Sequence, residues 1–197
     1  MIDLLLAPRC AGCDVPGAWL CQTCVDACDP IRRGRLHAVG TYGGALAAAI
    51  RRFKYRGERG LAGELGALLA ARVGADLARG TALDVVVPAV LHADRARDRG
   101  YDQSRLLAAE VARRCGLPLR APLRRIRPSR PQVELDRTAR AENLRGAFVA
   151  EAQALRGLRV ALIDDVATTG ATLAAASAAC RAAGARDVRH YVVALDE

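Results

Sequence analysis

The sequence predicts an α/β protein, a parallel sheet flanked by helices and preceded by a small cysteine-rich unit. The stretches "LDVVVPAV" (83–90) and "RVALIDD" (159–165) are apolar runs of the kind found in strands that are buried on both faces of a parallel sheet. Amphipathic segments alternate with such runs, as in βαβ units. Four of the seven cysteines fall between residues 10 and 24, and 197 residues leave room for one full domain and a small appendage.

A polar, basic stretch follows the cysteines. This stretch, "DPIRRGRLHA" (29–38), contains proline and glycine and predicts a hinge between two units. We therefore divide the chain into a cysteine unit of residues 1–36 and an α/β domain of residues 37–197.

Strands and helices alternate through the larger unit. Short apolar runs predict strands at 37–42, 83–90, 117–123, 159–165 and 188–195. Helical spacing predicts one helix through Leu46, Ile50 and Phe53, one from Leu61 to Val73, one through Leu107, Val111 and Cys115, and one over 171–184. The exception is 124–148, which is rich in arginine and has no firm period. A connection of that length is usually functional or disordered.

Composition indicates the class of partner and the compartment. The net charge of +9 and the pI of about 9.8 suit phosphate-bearing partners. Only one of the 30 basic residues is lysine, which suggests a coding bias and weakens charge as an argument for DNA binding. The N-terminal residues lack a basic leader, and no apolar run is long enough to span a membrane, so we expect a soluble cytoplasmic protein without membrane insertion.

Two CxxC pairs, Cys10/Cys13 and Cys21/Cys24, predict a tetrahedral structural Zn²⁺ site. A segment of this size cannot bury enough surface to fold alone, and a metal ion would supply the missing stability. Two alternatives stay open. The pairs could be redox dithiols or incidental cysteines, and Cys28 could replace Cys24 as a ligand.

The strongest motif is "VALIDDVATTGATL", an apolar strand followed by Asp164 and Asp165 and then by a turn that opens a helix. Ligands bind at the carboxyl ends of parallel strands, and helix N-termini attract phosphate. Two carboxylates suit the vicinal hydroxyls of a ribose. The threonines of "TTGAT" add hydroxyl donors around a phosphate that Gly170 lets approach closely. In the alternative interpretation, Asp165 or Thr169 only caps the helix and Asp164 is a surface charge.

The segment "DDVATTGAT" resembles the phosphoribosyl pyrophosphate (PRPP) signature of type I phosphoribosyltransferases. Together with the CxxC pairs, "RFKYRG", "VVPAVLHADRARDRGYDQS", "RPQVELDRTARAENLRGAF" and "AAGARDV", it resembles the ComF family over nearly the whole chain. These are competence-related, phosphoribosyltransferase-like proteins associated with the handling of incoming DNA. The resemblance implies a type I phosphoribosyltransferase-like sheet preceded by a zinc-ribbon-like unit.

The resemblance also implies site residues. The positions for ribose and 5′-phosphate would be Asp164, Asp165, Val166, Ala167, Thr168, Thr169, Gly170, Ala171 and Thr172. The pyrophosphate side would be formed by Lys54, Arg97 and Arg99, with Pro88 and Ala89 in the pyrophosphate loop. A mobile loop over 127–147 would carry Gln132, Arg140 and Asn143. Any single arginine, however, is also consistent with a solvated surface charge.

Two positions depart from the family pattern. Val90 stands where the family usually has a second proline, and Asp102 where it usually has asparagine. Asp102 would add negative charge near the pyrophosphate. The histidines lack partners in the sequence that would suggest a metal or catalytic role, so we expect structural or surface positions for them.

We therefore expect a protein that binds Mg²⁺·PRPP. As an enzyme it would transfer the phosphoribosyl group to a nitrogen acceptor, with Mg²⁺ and basic side chains stabilising the pyrophosphate. No side chain stands out as a general base. The alternative is a non-catalytic DNA-handling protein that uses the pocket for regulation, with single-stranded DNA or competence proteins as partners. The acceptor base and the oligomeric state are left open.

Overall fold

The structure, a computed structural model, describes residues 7–90, 100–126 and 146–196. Its helices are α1 (Gln22–Asp26), α2 (Gly44–Tyr55), α3 (Leu61–Ala78), α4 (Gln103–Cys115) and α5 (Ala171–Ala182). Its strands are β1 (Ile31–Arg33), β2 (Leu36–Thr41), β3 (Val85–Pro88), β4 (Leu123–Arg125), β5 (Phe148–Ala150), β6 (Arg159–Ala167) and β7 (Asp187–Leu195).

Five of these strands form the main sheet, in the order β1-β2-β7-β6-β3. Strands β2, β7, β6 and β3 are parallel, and β1 pairs antiparallel with β2 at one edge. This arrangement confirms the predicted α/β fold class with its parallel sheet.

Helices cover both faces of the sheet. Along β6, Ala161 and Ile163 belong to the apolar cluster that contains α2, α3 and α4. Their neighbours Val160 and Leu162 belong to the cluster that contains α5. Since alternate residues of a strand point to opposite faces, β6 is buried on both sides, as its continuous apolar sequence predicts.

The strand predicted over 117–123 is wrong. In this segment only Leu119 forms a bridge, to Val86 of β3, and the strand β4 begins at Leu123 and pairs with β5 in a separate two-stranded sheet. Pro118 and Pro122 explain the difference, because proline has no N–H group to donate to a sheet ladder.

The predicted hinge contains a β-hairpin. Ile31–Arg33 pairs antiparallel with Leu36–Thr41, and Gly34 supplies the positive φ of 57° in the turn between them. The division of the chain at residue 36 remains a prediction, and the hairpin that spans this position joins the cysteine unit directly to the sheet.

The cysteine unit packs on α2 and on the start of α3. Cys10 and Leu20 are buried in the same apolar cluster as these helices. A Cβ added to Gly12 would lie 2.6 Å from the Ala45 Cβ, and one added to Gly60 would lie 2.2 Å from the Trp19 Nε1. Both positions leave no room for a Cβ, so the cysteine unit packs in direct contact with the helices of the domain.

Asp84 and Arg159 join the beginnings of β3 and β6. The Arg159 guanidinium donates to both carboxylate oxygens of Asp84 at 2.6 and 2.8 Å, and its backbone N–H donates to Oδ2 at 2.8 Å. The side-chain and backbone donors of Arg159 together lower the pKa of Asp84 to about 2.

We expect Asp84→Asn to destabilise the protein at pH 7 by about 1 kcal/mol, because the pair is partly exposed to solvent. A depressed folded-state pKa stabilises above the ordinary value of 3.8, and that contribution is lost as the pH falls through about 2. Urea unfolding of both proteins should therefore show a difference at pH 7 that shrinks between pH 4 and 2. A difference that does not change with pH would contradict this origin.

Candidate functional site

The acid pair, Asp164 and Asp165, lies near the carboxyl end of β6, beyond the point at which β3 ends. The last residue of β3, Pro88, lies opposite Ile163, whereas β6 stays paired with β7 as far as Ala167. The strand is therefore two residues longer than the predicted 159–165, because β7 continues beside it. Beyond Pro88 no strand of the described residues pairs with this edge of β6, and the two acids occupy that position.

The structure brings Lys54 to the acid pair. Asp165 follows Ala161 and Ile163 in the alternation along β6, so its side chain points to the face covered by α2. Lys54 lies in the last turn of α2, and its Nζ is 2.8 Å from the Asp165 Oδ1. The two side chains are only 19% and 11% exposed, so the ion pair is largely screened from water.

Sequence reasoning missed Ser104, which contacts the other acid. The Ser104 hydroxyl, at the start of α4, donates to the Asp164 Oδ1 at 2.8 Å, and the backbone N–H of Asp165 donates to the same oxygen at 2.9 Å. Burial and the neighbouring charge of Asp165 nevertheless raise the pKa of Asp164 to about 7. Adjacent carboxyl groups thus differ in environment, since one is paired with a cation and the other accepts two hydrogen bonds.

The turn after β6 leads directly into α5. Thr168 is exposed, Gly170 has a φ of 73°, and α5 begins at Ala171. The Thr169 hydroxyl accepts the Ala171 N–H at 3.4 Å, a long hydrogen bond that supplies at most a weak cap. The first N–H groups of a helix have no intrahelical partner, so this turn presents donors and the positive end of a helix dipole.

The chain after β3 begins beside the acid pair. Ala89 is buried, and its N–H donates to the Ile163 carbonyl at 2.8 Å. Just before α4, the Tyr101 hydroxyl donates to the Phe53 carbonyl of α2. Asp102 caps α4 by accepting the Arg105 N–H at 3.1 Å, a structural role that its asparagine counterpart could also fill.

Several expected site residues lie outside the described residues: Arg97 and Arg99, and in the predicted loop Gln132, Arg140 and Asn143. The site as described therefore consists of the acid pair, Lys54, Ser104, the end of β3 and the turn before α5.

The four thiols that the sequence predicts as metal ligands form one cluster. The Sγ atoms of Cys10, Cys13, Cys21 and Cys24 all lie within 4.8 Å of one another, and those of Cys13 and Cys21 are 3.5 Å apart. Tetrahedral Zn–S bonds of about 2.3 Å place sulfurs roughly 3.8 Å apart, so this donor set fits one metal ion. Cys28 is outside the set, and its thiol donates to the Cys24 carbonyl at 3.3 Å.

Cys10 is the most deeply buried of these ligand candidates. Burial raises the pKa of its thiol, but N–H groups of Cys21, Cys13 and Gly12 point at the sulfur and lower the pKa to about 6. Backbone donors around a sulfur stabilise a thiolate, which is the form that binds metal.

Two histidines are internal and structural, as expected. His37 contacts Asp76, and the Tyr191 hydroxyl donates to the same carboxylate at 2.8 Å. His190 lies 2.6 Å from the Ser177 hydroxyl, and burial lowers its pKa to about 4. His92 lies outside the described residues.

A parallel sheet with paired acids near the carboxyl end of an inner strand, followed by a threonine-glycine turn into a helix, agrees with the phosphoribosyltransferase-like class that the sequence resemblance implies. The chain is 31% identical to competence protein F of Haemophilus influenzae over 162 residues, 79% of this chain and 70% of that protein. It is 31% identical to the DNA utilization protein YhgH of Salmonella typhimurium, over 84% of this chain and 74% of that protein. The chain belongs to the ComF family.

Other comparisons add less. No family model matches the chain. Among solved structures, a glutamine PRPP amidotransferase from B. subtilis, complexed with ADP and GMP, resembles it with a TM-score of 0.43 and 22% identity. An allosteric regulatory enzyme of purine biosynthesis resembles it with a TM-score of 0.44 and 23% identity. Each match covers 66% of this chain and only a quarter of the other. Over the described residues, no helix combines the length and the apolar character needed to cross a membrane.

Proposed function

We propose that the chain binds Mg²⁺·PRPP, or a related phosphoribosyl nucleotide, at the acid pair and the turn before α5. The observation that carries the proposal is the acid pair itself, two carboxylates on β6 just beyond the end of β3, with Lys54 paired to Asp165. Asp164 and Asp165 would accept hydrogen bonds from the ribose hydroxyls. The turn of residues 168–172 would bind the 5′-phosphate with hydroxyls and first-turn N–H groups.

Lys54 would have a role both in the ligand-free site and in the site with ligand bound. Without ligand its charge is neutralised by Asp165, which lowers the cost of holding a carboxylate that is 11% exposed. With ligand bound, the same ammonium is the cation nearest to the acid pair among the described residues and would stabilise phosphate charge. In a transfer reaction, an acceptor nitrogen would form a bond to the anomeric carbon while the bond to pyrophosphate breaks. Mg²⁺, when bound, would neutralise charge on the leaving pyrophosphate.

The second candidate is a DNA-handling protein in which the pocket regulates and does not catalyse. The names of the relatives, competence protein F and DNA utilization protein, favour it, as does the net charge of +9. Consumption of PRPP with a panel of candidate bases would support the enzyme. Binding of PRPP without turnover, together with binding of DNA, would support the second candidate.

Saturating Mg²⁺·PRPP should raise the melting temperature, because it binds only the folded state. Ligand at 100 times its dissociation constant stabilises by about 2.7 kcal/mol. Thr169→Val should weaken both PRPP and simple 5′-phosphate monoesters, since it changes only the phosphate end. The exposed Thr41, at the end of β2, offers a matched control, and Thr41→Val should leave both ligands unaffected. An unchanged melting temperature of the wild-type protein would refute the pocket.

We further propose that the metal held by the four clustered thiols is Zn²⁺. An all-thiolate tetrahedral set with no open position is typical of structural zinc. Metal analysis of protein purified without added zinc should find about one equivalent for one four-thiolate site.

A further inference from the structure

A cleft of about 440 Å³ lies between the cysteine unit and α2. Its lining residues are Ala11, Ala48, Arg51, Arg52, Tyr55 and Arg56. The helical members recur at i, i+3, i+4 and i+7 from Ala48, so they form one face of α2. None of them belongs to the candidate site above, and the volume falls in the range of small-ligand sites, about 300–1,000 Å³.

The cleft is positively charged. Arg52 is paired with Glu58 at 2.7 Å. Arg51 and Arg56 are exposed, and no carboxylate of the described residues lies within ion-pair distance of either. The lining contains no acidic residue. Two guanidinium groups are thus available to an anion, and arginine binds phosphate bidentately.

Tyr55 adds an aromatic face to the same cleft. Its side chain is 71% exposed, whereas Phe53 and Tyr191 are fully buried and the Tyr101 ring packs at a tilt against Phe53. All seven aromatic residues of the chain lie in the described ranges, and Tyr55 is the only one that is largely exposed. An exposed tyrosine between arginines is the arrangement that stacks a base while its phosphates are neutralised.

We propose that this cleft binds a nucleotide unit, with phosphate on Arg51 and Arg56 and the base on Tyr55. A solvated basic face would account for the arginines alone, but not for the largely exposed ring beside a cavity. The unit can be a free nucleotide or one link of a single strand. Double-stranded DNA fits poorly, since its bases are stacked inside the duplex. The inference does not depend on PRPP binding, and Asp164→Asn should leave it intact.

Binding of a labelled oligothymidylate, followed by fluorescence anisotropy across a salt series, tests the proposal. Arg51→Gln/Arg56→Gln should lower the slope of log K against log salt by about 1.4, at roughly 0.7 per phosphate contact. Tyr55→Ala should weaken binding by about fivefold or more, the low end of base–aromatic stacking. Tyr55→Phe keeps the aromatic ring and should bind the oligothymidylate as the wild-type protein does.

The control removes the same charge elsewhere. Arg181→Gln/Arg186→Gln changes two exposed arginines on the α5 side of the sheet and should leave the slope close to that of the wild-type protein. Competition by thymidine monophosphate distinguishes the sources. If thymidine monophosphate displaces the labelled probe with the same affinity as unlabelled oligothymidylate, the cleft is a site for free nucleotides. If only unlabelled oligothymidylate displaces the probe, the cleft is a site for a single strand. Equal losses in the control variant, no effect of Tyr55→Ala, or equal competition by polyglutamate would overturn the proposal.

Discussion

A strong chelator is expected to shift the fluorescence of Trp19 to longer wavelength while the far-ultraviolet circular dichroism changes little. Trp19 is the only tryptophan, and it lies inside the cysteine unit against Gly60. Between residues 7 and 36 the unit contains one helix of five residues, whose unfolding removes little helical signal. Metal binding contributes about 10–16 kcal/mol in zinc-finger peptides, more than a unit of this size gains from its own apolar burial.

Single cysteine variants sharpen this prediction. Cys13→Ser should lose the metal and show the same fluorescence shift without chelator, because it removes one of four clustered sulfurs. Cys28→Ser should keep one equivalent, since the Cys28 thiol only donates to the Cys24 carbonyl. Metal content and Trp19 emission of the two purified variants give the answer. Loss of metal from Cys28→Ser with retention in Cys24→Ser would mean that Cys28 is the fourth ligand.

The parts of the fold that were predictable are those with a local signal. Strand β3, the first half of β6 and the second half of β7 are apolar on both faces, and this leaves continuous apolar runs in the sequence. The acid pair and the turn before α5 are contiguous, so one short motif contains them. Strand β4 begins later than the sequence predicts, because Pro118 and Pro122 lie within the predicted segment and because its pairing partner, β5, comes more than twenty residues later.

Other contacts depend on distant residues and leave no pattern in the sequence. Ser104 and Asp164 are 60 positions apart, and Asp76 and Tyr191 are 115 apart. Lys54 could be singled out as the one lysine in the chain, but its partner Asp165 could not. These pairs exist only once α2, α3 and α4 pack on the sheet, so the sequence indicated the residue types of the site but not their connections.

Asp164→Asn should stabilise the ligand-free protein above neutral pH and at the same time weaken Mg²⁺·PRPP. Burial and the charge of Asp165 raise the pKa of Asp164 from 3.8 to about 7. For an acid with a raised folded-state pKa, the stability from its protonated form is complete below pH 4 and is lost as the pH rises through about 7. Asparagine keeps the acceptor oxygen for Ser104 and the Asp165 N–H but cannot ionise.

At pH 8 the gain in unfolding free energy should be roughly 1–2 kcal/mol, because the carboxyl is only partly buried and water still stabilises its charged form. The gain should shrink steadily as the pH is lowered from 7 and should nearly vanish below pH 4. Asp165→Asn is the matched control, and it should destabilise, because Lys54 loses its only ion-pair partner among the described residues. Each substitution should reduce the rise in melting temperature caused by Mg²⁺·PRPP, since a charged acceptor contributes about 1.5–3 kcal/mol. Asp164 would thus lower the stability of the folded state at the pH at which its charged form is needed to bind Mg²⁺·PRPP, as expected for a ligand-binding residue. If Asp164→Asn destabilised at pH 8 and left the ligand shift unchanged, Asp164 would be a structural acid and the ribose would have to be held elsewhere.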